Sequence, residues 1–123
     1  MAFQKVFLNS QLVSKGDALV NLDTVAFKYG AMVFEGIRAY WNVPEEQLYA
    51  FRANEHSRRL EQSVRVMRMQ TELTASDYSS AVLQVLRANS VRENVHIRQM
   101  FRPNSTHCRK RAPQRTARKR RRL

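Results

Sequence analysis

Apolar residues change their spacing along this chain, and each change marks a different element. Lys5-Val6-Phe7-Leu8 and Gln11-Leu12-Val13 flank Asn9-Ser10, a pair suited to a two-residue turn because Asn tolerates positive φ. The pattern predicts a short β-hairpin. Gly16-Asp17-Ala18 marks a break, and Leu22 to Phe27 reads as a brief helical turn ending near Gly30. Met32 to Trp41 and Leu48 to Phe51 are rich in β-branched and aromatic residues on either side of a Pro44 to Gln47 connector. They are expected to pair as antiparallel strands.

From Asn54 onward the period lengthens. Leu60, Val64 and Met67 recur at spacings of four and three, with Arg58, Arg65 and Arg68 left for solvent. Asn54 reads as the N-cap of this helix. A second helix opens at Thr74, with Asp77 three residues on as in a capping box, and carries an apolar face of Tyr78, Ala81, Val82, Val85 and Leu86 up to a stop at Asn89. Val95 to Phe101 returns to a period of two, with Val95, Ile97 and Gln99 on one face. Strands, two helices and a final strand together predict an α+β domain, a mainly antiparallel sheet with two helices packed on one face.

Periodicity stops after Phe101. The formal charge of the 123 residues is +12, and ten cations with no acid fall within 102–123, so residues 1–101 carry only +2. The division is therefore a domain over 1–101 and a basic tail over 102–123, too poor in apolar residues to bury and expected to be disordered. Clustered arginines are the substance of a nucleic-acid-binding arm. The favoured reading of the tail is instead a non-native continuation from a frameshift or gene truncation. At 43% hydrophobic and 26% charged, the whole has an ordinary globular balance. No run approaches a membrane span and the start lacks an apolar h-region, so a cytoplasmic location is expected. Cys108 is the single cysteine, which excludes an internal disulfide framework or a cysteine-based metal cluster.

Three ordered blocks carry chemistry. Tyr29-Gly30-Ala31-Met32-Val33-Phe34-Glu35-Gly36-Ile37-Arg38-Ala39-Tyr40 closely resembles the block HYGxxVFEGIRxY of class IV, pyridoxal-phosphate-dependent aminotransferases. Phe51-Arg52 followed by Glu55-His56-Ser57-Arg58-Arg59-Leu60 resembles their F-R-x-x-E-H-x-x-R-L block. Asn94-Val95-His96-Ile97-Arg98 resembles a third, which ends Y-I-R in the family. D-amino-acid aminotransferases and aminodeoxychorismate lyases share the fold and the H-x-x-R-L arginine, while the full VFEGIR string favours the branched-chain group. The resemblance covers about residues 5–101 and implies the N-terminal domain of such an enzyme, truncated.

By residue type alone, Arg58 and Arg59 are solvated helix charges, Tyr29 and Phe34 are core aromatics, Gly36 marks a bulge and Arg98 is a solvated strand arginine. The resemblance implies more. Arg59 becomes the anchor of the cofactor phosphate, a role its planar fork of donors suits. Tyr29 and Phe34 become an apolar substrate wall, Gly36 a point of close backbone approach, and Arg98 the partner of the distal carboxylate of glutamate. His96 replaces the family tyrosine, and Lys28 replaces its histidine; neither receives a role.

The implied activity is transfer of an amino group between leucine, isoleucine or valine and 2-oxoglutarate, with pyridoxal 5'-phosphate as cofactor and a homo-oligomer as the intact enzyme. Transamination needs a Schiff-base lysine. The family's lysine lies in a second domain, and Lys5, Lys15, Lys28, Lys110 and Lys119 have no matching context. No catalytic residue is assigned, and this chain alone is expected to be inactive, with weak cofactor binding or none. Two alternatives come from other classes: a nucleic-acid-binding protein using the arginine-rich tail, and a non-catalytic partner of a full-length aminotransferase.

Overall fold

The computed structural model describes residues 3–103. The expectation of a disordered or nucleic-acid-binding tail falls, beyond Pro103, outside the described residues. Strands β1 (Lys5–Leu8) and β2 (Gln11–Ser14) form the hairpin, paired from Lys5↔Ser14 to Leu8↔Gln11. Asn9 and Ser10 both adopt positive φ, 48° and 65°, as a tight turn between twisted strands demands. A single 3-10 turn over Lys15–Asp17 follows.

Helix α1 spans Val25–Tyr29 and lies further along than the Leu22 to Phe27 expectation. The cause is Thr24, whose hydroxyl accepts from the Phe27 N–H at 3.3 Å and so fixes the start. Gly30, left-handed at φ 65°, ends it.

Strand β3 (Val33–Asn42) turns back into β4 (Gln47–Ala50), and the last strand, β5 (Val95–Phe101), pairs on the other edge of β3. The order is β4-β3-β5, antiparallel throughout. The hairpin is a separate sheet, so the expected single antiparallel sheet is divided in two. Side chains tie the hairpin to the body: Asn89 Oδ1 accepts from the backbone N–H groups of Gln4 and Lys5, its amide donates to the Lys5 carbonyl, and Arg102 Nη2 donates to Asn9 Oδ1 at 3.3 Å.

Helices α2 (Ala53–Val66) and α3 (Ala75–Ala88) cover the face of β3 that carries Ile37 and Ala39. Ile37, Ala39 and Leu60 are fully buried, and Val64 and Val82 nearly so; removing each Ile, Leu or Val side chain from water is worth about 1.5–3 kcal/mol. Val82 and Leu86 close the core against Ile37 and Ala39. The α+β architecture with two helices on one face is as the periodicity predicts.

Two local expectations are corrected. Asn54 does not cap α2: Arg52, left-handed at φ 51°, occupies that position, and Asn54 Oδ1 instead accepts from Ser79 Oγ on α3 at 2.8 Å. Met67 is exposed rather than part of the apolar stripe, because the helix ends at Val66. At α3 the Asp77 carboxylate accepts from the Thr74 N–H at 2.7 Å and from its hydroxyl at 2.9 Å. No helix among the described residues is long and apolar enough to cross a membrane.

Candidate functional site

Alternation along β3 sends Glu35 to the same side as Ile37 and Ala39, where it is only 3% exposed. A carboxylate buried this deeply requires charged or hydrogen-bonding partners. Helix α2 supplies two, one turn apart. His56 and Arg59 stand at i and i+3 and therefore share a helix face. His56 Nδ1 lies 2.8 Å from Glu35 Oε2. The Arg59 Nε–H donates to Glu35 Oε1 at 2.7 Å while Nη2 donates to Oε2, a bidentate ion pair. The Arg59 and His56 contacts hold the Glu35 carboxyl below the usual carboxylate range, with Arg59 the larger influence, against burial that acts the other way. The guanidinium of Arg59 is stabilised in return.

Glu35 uses one edge of Arg59, formed by Nε and Nη2. A guanidinium has five N–H donors, and the outer edge of Nη1 and Nη2 remains. The Arg59 side chain is 65% exposed, so this second edge faces solvent. It has the planar pair of donors that a phosphate or carboxylate requires.

The opposite phase of the sheet forms a second cluster. Phe34, Arg38 and Tyr40 of β3 and His96, Arg98 and Met100 of β5 alternate to the face away from the helices, and all six are exposed. Gly36 pairs with Arg98 across the ladder. The Arg98 guanidinium lies 5.3 Å from the centre of the Phe34 ring, a cation–π contact. His96 covers Gly36: a β-carbon there would stand 2.8 Å from His96 Nε2. His96 also lines a shallow open groove with Arg38, Tyr40 and Asn94.

Of the residues singled out by sequence, Phe34, Gly36 and Arg98 are thus brought together on one face. Arg59 is separated from them by the phase of β3, since its partner Glu35 points to the helix side. Tyr29 ends α1 and is exposed, with Lys28 Nζ 5.9 Å from its ring centre. Sequence reasoning passed over Glu35 and His56 although both lie inside quoted motif blocks. The signal was present: Glu35 falls at the inward phase of a strand otherwise lined by Val33, Ile37 and Ala39, and a lone acid at that phase needs a cation opposite.

No family model matches the chain. A probable branched-chain-amino-acid aminotransferase of Aquifex aeolicus is 39% identical over 92 residues, which are 75% of this chain and 30% of that protein. Among solved structures, the branched-chain aminotransferase of Thermoproteus uzoniensis with norvaline superposes with a TM-score of 0.79 at 38% identity, over 85% of this chain and 34% of that one. The proteins and structures that this chain resembles are branched-chain aminotransferases. The enzyme of Thermobaculum terrenum, solved in its PLP form, superposes with a TM-score of 0.73 at 36% identity, over 79% of this chain and 32% of that one. The chain thus spans about 30% of the length of the relatives it matches, and its strands and helices match the N-terminal domain of these aminotransferases.

Proposed function

We propose that this chain supplies one wall of the active site of a branched-chain amino-acid transaminase, exchanging an amino group between leucine, isoleucine or valine and 2-oxoglutarate. The observation that carries this reading is Arg59, fixed at one edge by Glu35 and open at the other. The open edge fits a dianionic phosphate such as that of pyridoxal 5'-phosphate, which supplies the electron sink for amino transfer when bound. Arg59 holds the phosphate by charge-assisted hydrogen bonds. Phe34 and Tyr29 offer apolar surface to a branched side chain, Gly36 shares the face of Phe34, and Arg98 neutralises the distal carboxylate of glutamate.

Residues 1–101 act as the domain and 102–123 as an appended tail, in a protein that works as a soluble cytoplasmic homo-oligomer. The lysine that bonds the cofactor is contributed from outside this chain. Among the described lysines, Lys5 Nζ is engaged with Ser14 Oγ at 3.1 Å, and Lys28 Nζ lies 3.8 Å from Asp23. On this reading the 123-residue chain is inactive on its own. Purified chain mixed with pyridoxal phosphate should show no absorption band that shifts on adding leucine; such a shift overturns the inactivity. Adding a polypeptide that spans the unmatched remainder of the Aquifex aeolicus relative should restore leucine-to-2-oxoglutarate exchange, and should fail with Arg59→Ala. Restored exchange that is indifferent to Arg59 removes the role given to it.

A further inference from the structure

We propose that Glu35 is the positioning residue of an anion site on Arg59, its carboxylate clamping one edge of the guanidinium so that the other is presented to phosphate. The inference rests on the reading of Arg59 as a phosphate anchor and deepens it. An exposed arginine side chain samples many rotamers, and an anion must collect it from all of them. Arg59 is not in that position. Although 65% exposed, it is fastened at Nε and Nη2 to a carboxylate that is itself 3% exposed on the central strand. His56 fixes that carboxylate from the preceding helical turn. Strand β3 thus sets the plane of the guanidinium, and Nη1 with the second Nη2 hydrogen is the fork that this clamp leaves unused. The Arg59 contact, helped by His56, makes the Glu35 carboxyl more acidic than usual, which accords with a carboxylate that stays ionised while doing this.

Glu35 is a negative charge beside an anion site, so electrostatics alone makes its neutralisation strengthen phosphate binding. Positioning requires the opposite. In Glu35→Gln one oxygen can still accept, but the second position becomes a donor facing Nη2, so the clamp opens.

The test is titration of the full 123-residue chain with inorganic phosphate, following the Arg59 Nε–H and Nη signals by proton–nitrogen correlation spectroscopy. In the wild type, phosphate should move the Nη signals and leave Nε–H unshifted. Glu35→Gln should displace the Nε–H signal before any phosphate is added and weaken binding on the order of tenfold, the cost of disordering one bidentate contact. His56→Gln, which keeps the Glu35 charge, should weaken it by a smaller factor, and this variant carries the test if Glu35→Gln does not fold. Arg59→Ala should abolish binding. If Arg59→Ala abolishes binding while both other variants bind as tightly as wild type or more so, the positioning role is overturned and the phosphate anchor stands. If wild type shows no phosphate binding that depends on Arg59, the anchor falls and the inference with it.

Discussion

His96 Nε2 occupies the space that a side chain at Gly36 would need: a β-carbon there would stand 2.8 Å from it. What favours glycine here is this close approach and not the backbone conformation, since its φ is not among the positive ones. The obstructing atom is the tip of an exposed side chain, which can swing away. Gly36→Ala should therefore cost only about 1 kcal/mol, the lower end of the range for overpacking. The double variant Gly36→Ala, His96→Ala should recover most of it in urea unfolding. A loss unchanged by removal of His96 would place the conflict in the backbone instead.

Much of this arrangement was legible because local chemistry and global fold agree. Asn9-Ser10 carries its own turn preference, Thr74 and Asp77 satisfy each other within four residues, and Val95 to Phe101 alternates as its pairing with β3 demands. The start of α2 was not legible, because Asn54 spends its side chain on Ser79, twenty-five residues away, and leaves the cap to a left-handed Arg52. The separate hairpin was hidden for a similar reason: its hydrogen bonds to the body come from side chains, those of Asn89 at the end of α3 and of Arg102 after β5. The site divided in the same way. Motif blocks marked Arg59, Phe34, Gly36 and Arg98, but the Glu35 clamp exists only once the phase of β3 and the face of α2 are superimposed.

Acid should reveal that clamp in stability. The folded Glu35 carboxyl is more acidic than in the unfolded chain, chiefly through the Arg59 hydrogen bonds, so the unfolded state binds the proton more readily as pH falls. The stability contributed by this shift is complete above the ordinary glutamate range of about 4.3 and is lost as pH drops through the lower folded value. Unfolding free energies of wild type and Glu35→Gln, measured from pH 7 to 3, should converge at the acid end. A gap that stays constant across this range would contradict the assignment.

Asp77 offers a simpler measurement. Its carboxylate holds both the backbone N–H and the hydroxyl of Thr74 at the first turn of α3, and these contacts, the backbone one first, make it more acidic than usual. Asp77→Ala should destabilise the domain, because it leaves the Thr74 N–H at the start of α3 without its partner. Asp77→Asn, which keeps one acceptor, should cost less. Equal losses for the two would mean that charge near the helix start, rather than the hydrogen bonds, was responsible.

Asn89 links elements that no backbone ladder joins. Its amide group makes contacts of 2.9–3.0 Å to the backbone of Gln4 and Lys5 and one of 2.8 Å to the Val85 carbonyl of its own helix. A side-chain hydrogen bond nets about 0.5–1.5 kcal/mol, and these share one side chain, so Asn89→Ala should cost about 1–2 kcal/mol overall. The loss should also be local. Hydrogen exchange should accelerate at the Gln4 and Lys5 amides by more than the global change, while amides at Val82 and Leu86 in the core half of α3 follow the global change alone. Uniform acceleration across both sets would mean that the hairpin and the helical layer unfold as one unit, and that Asn89 is not the weakest point between them.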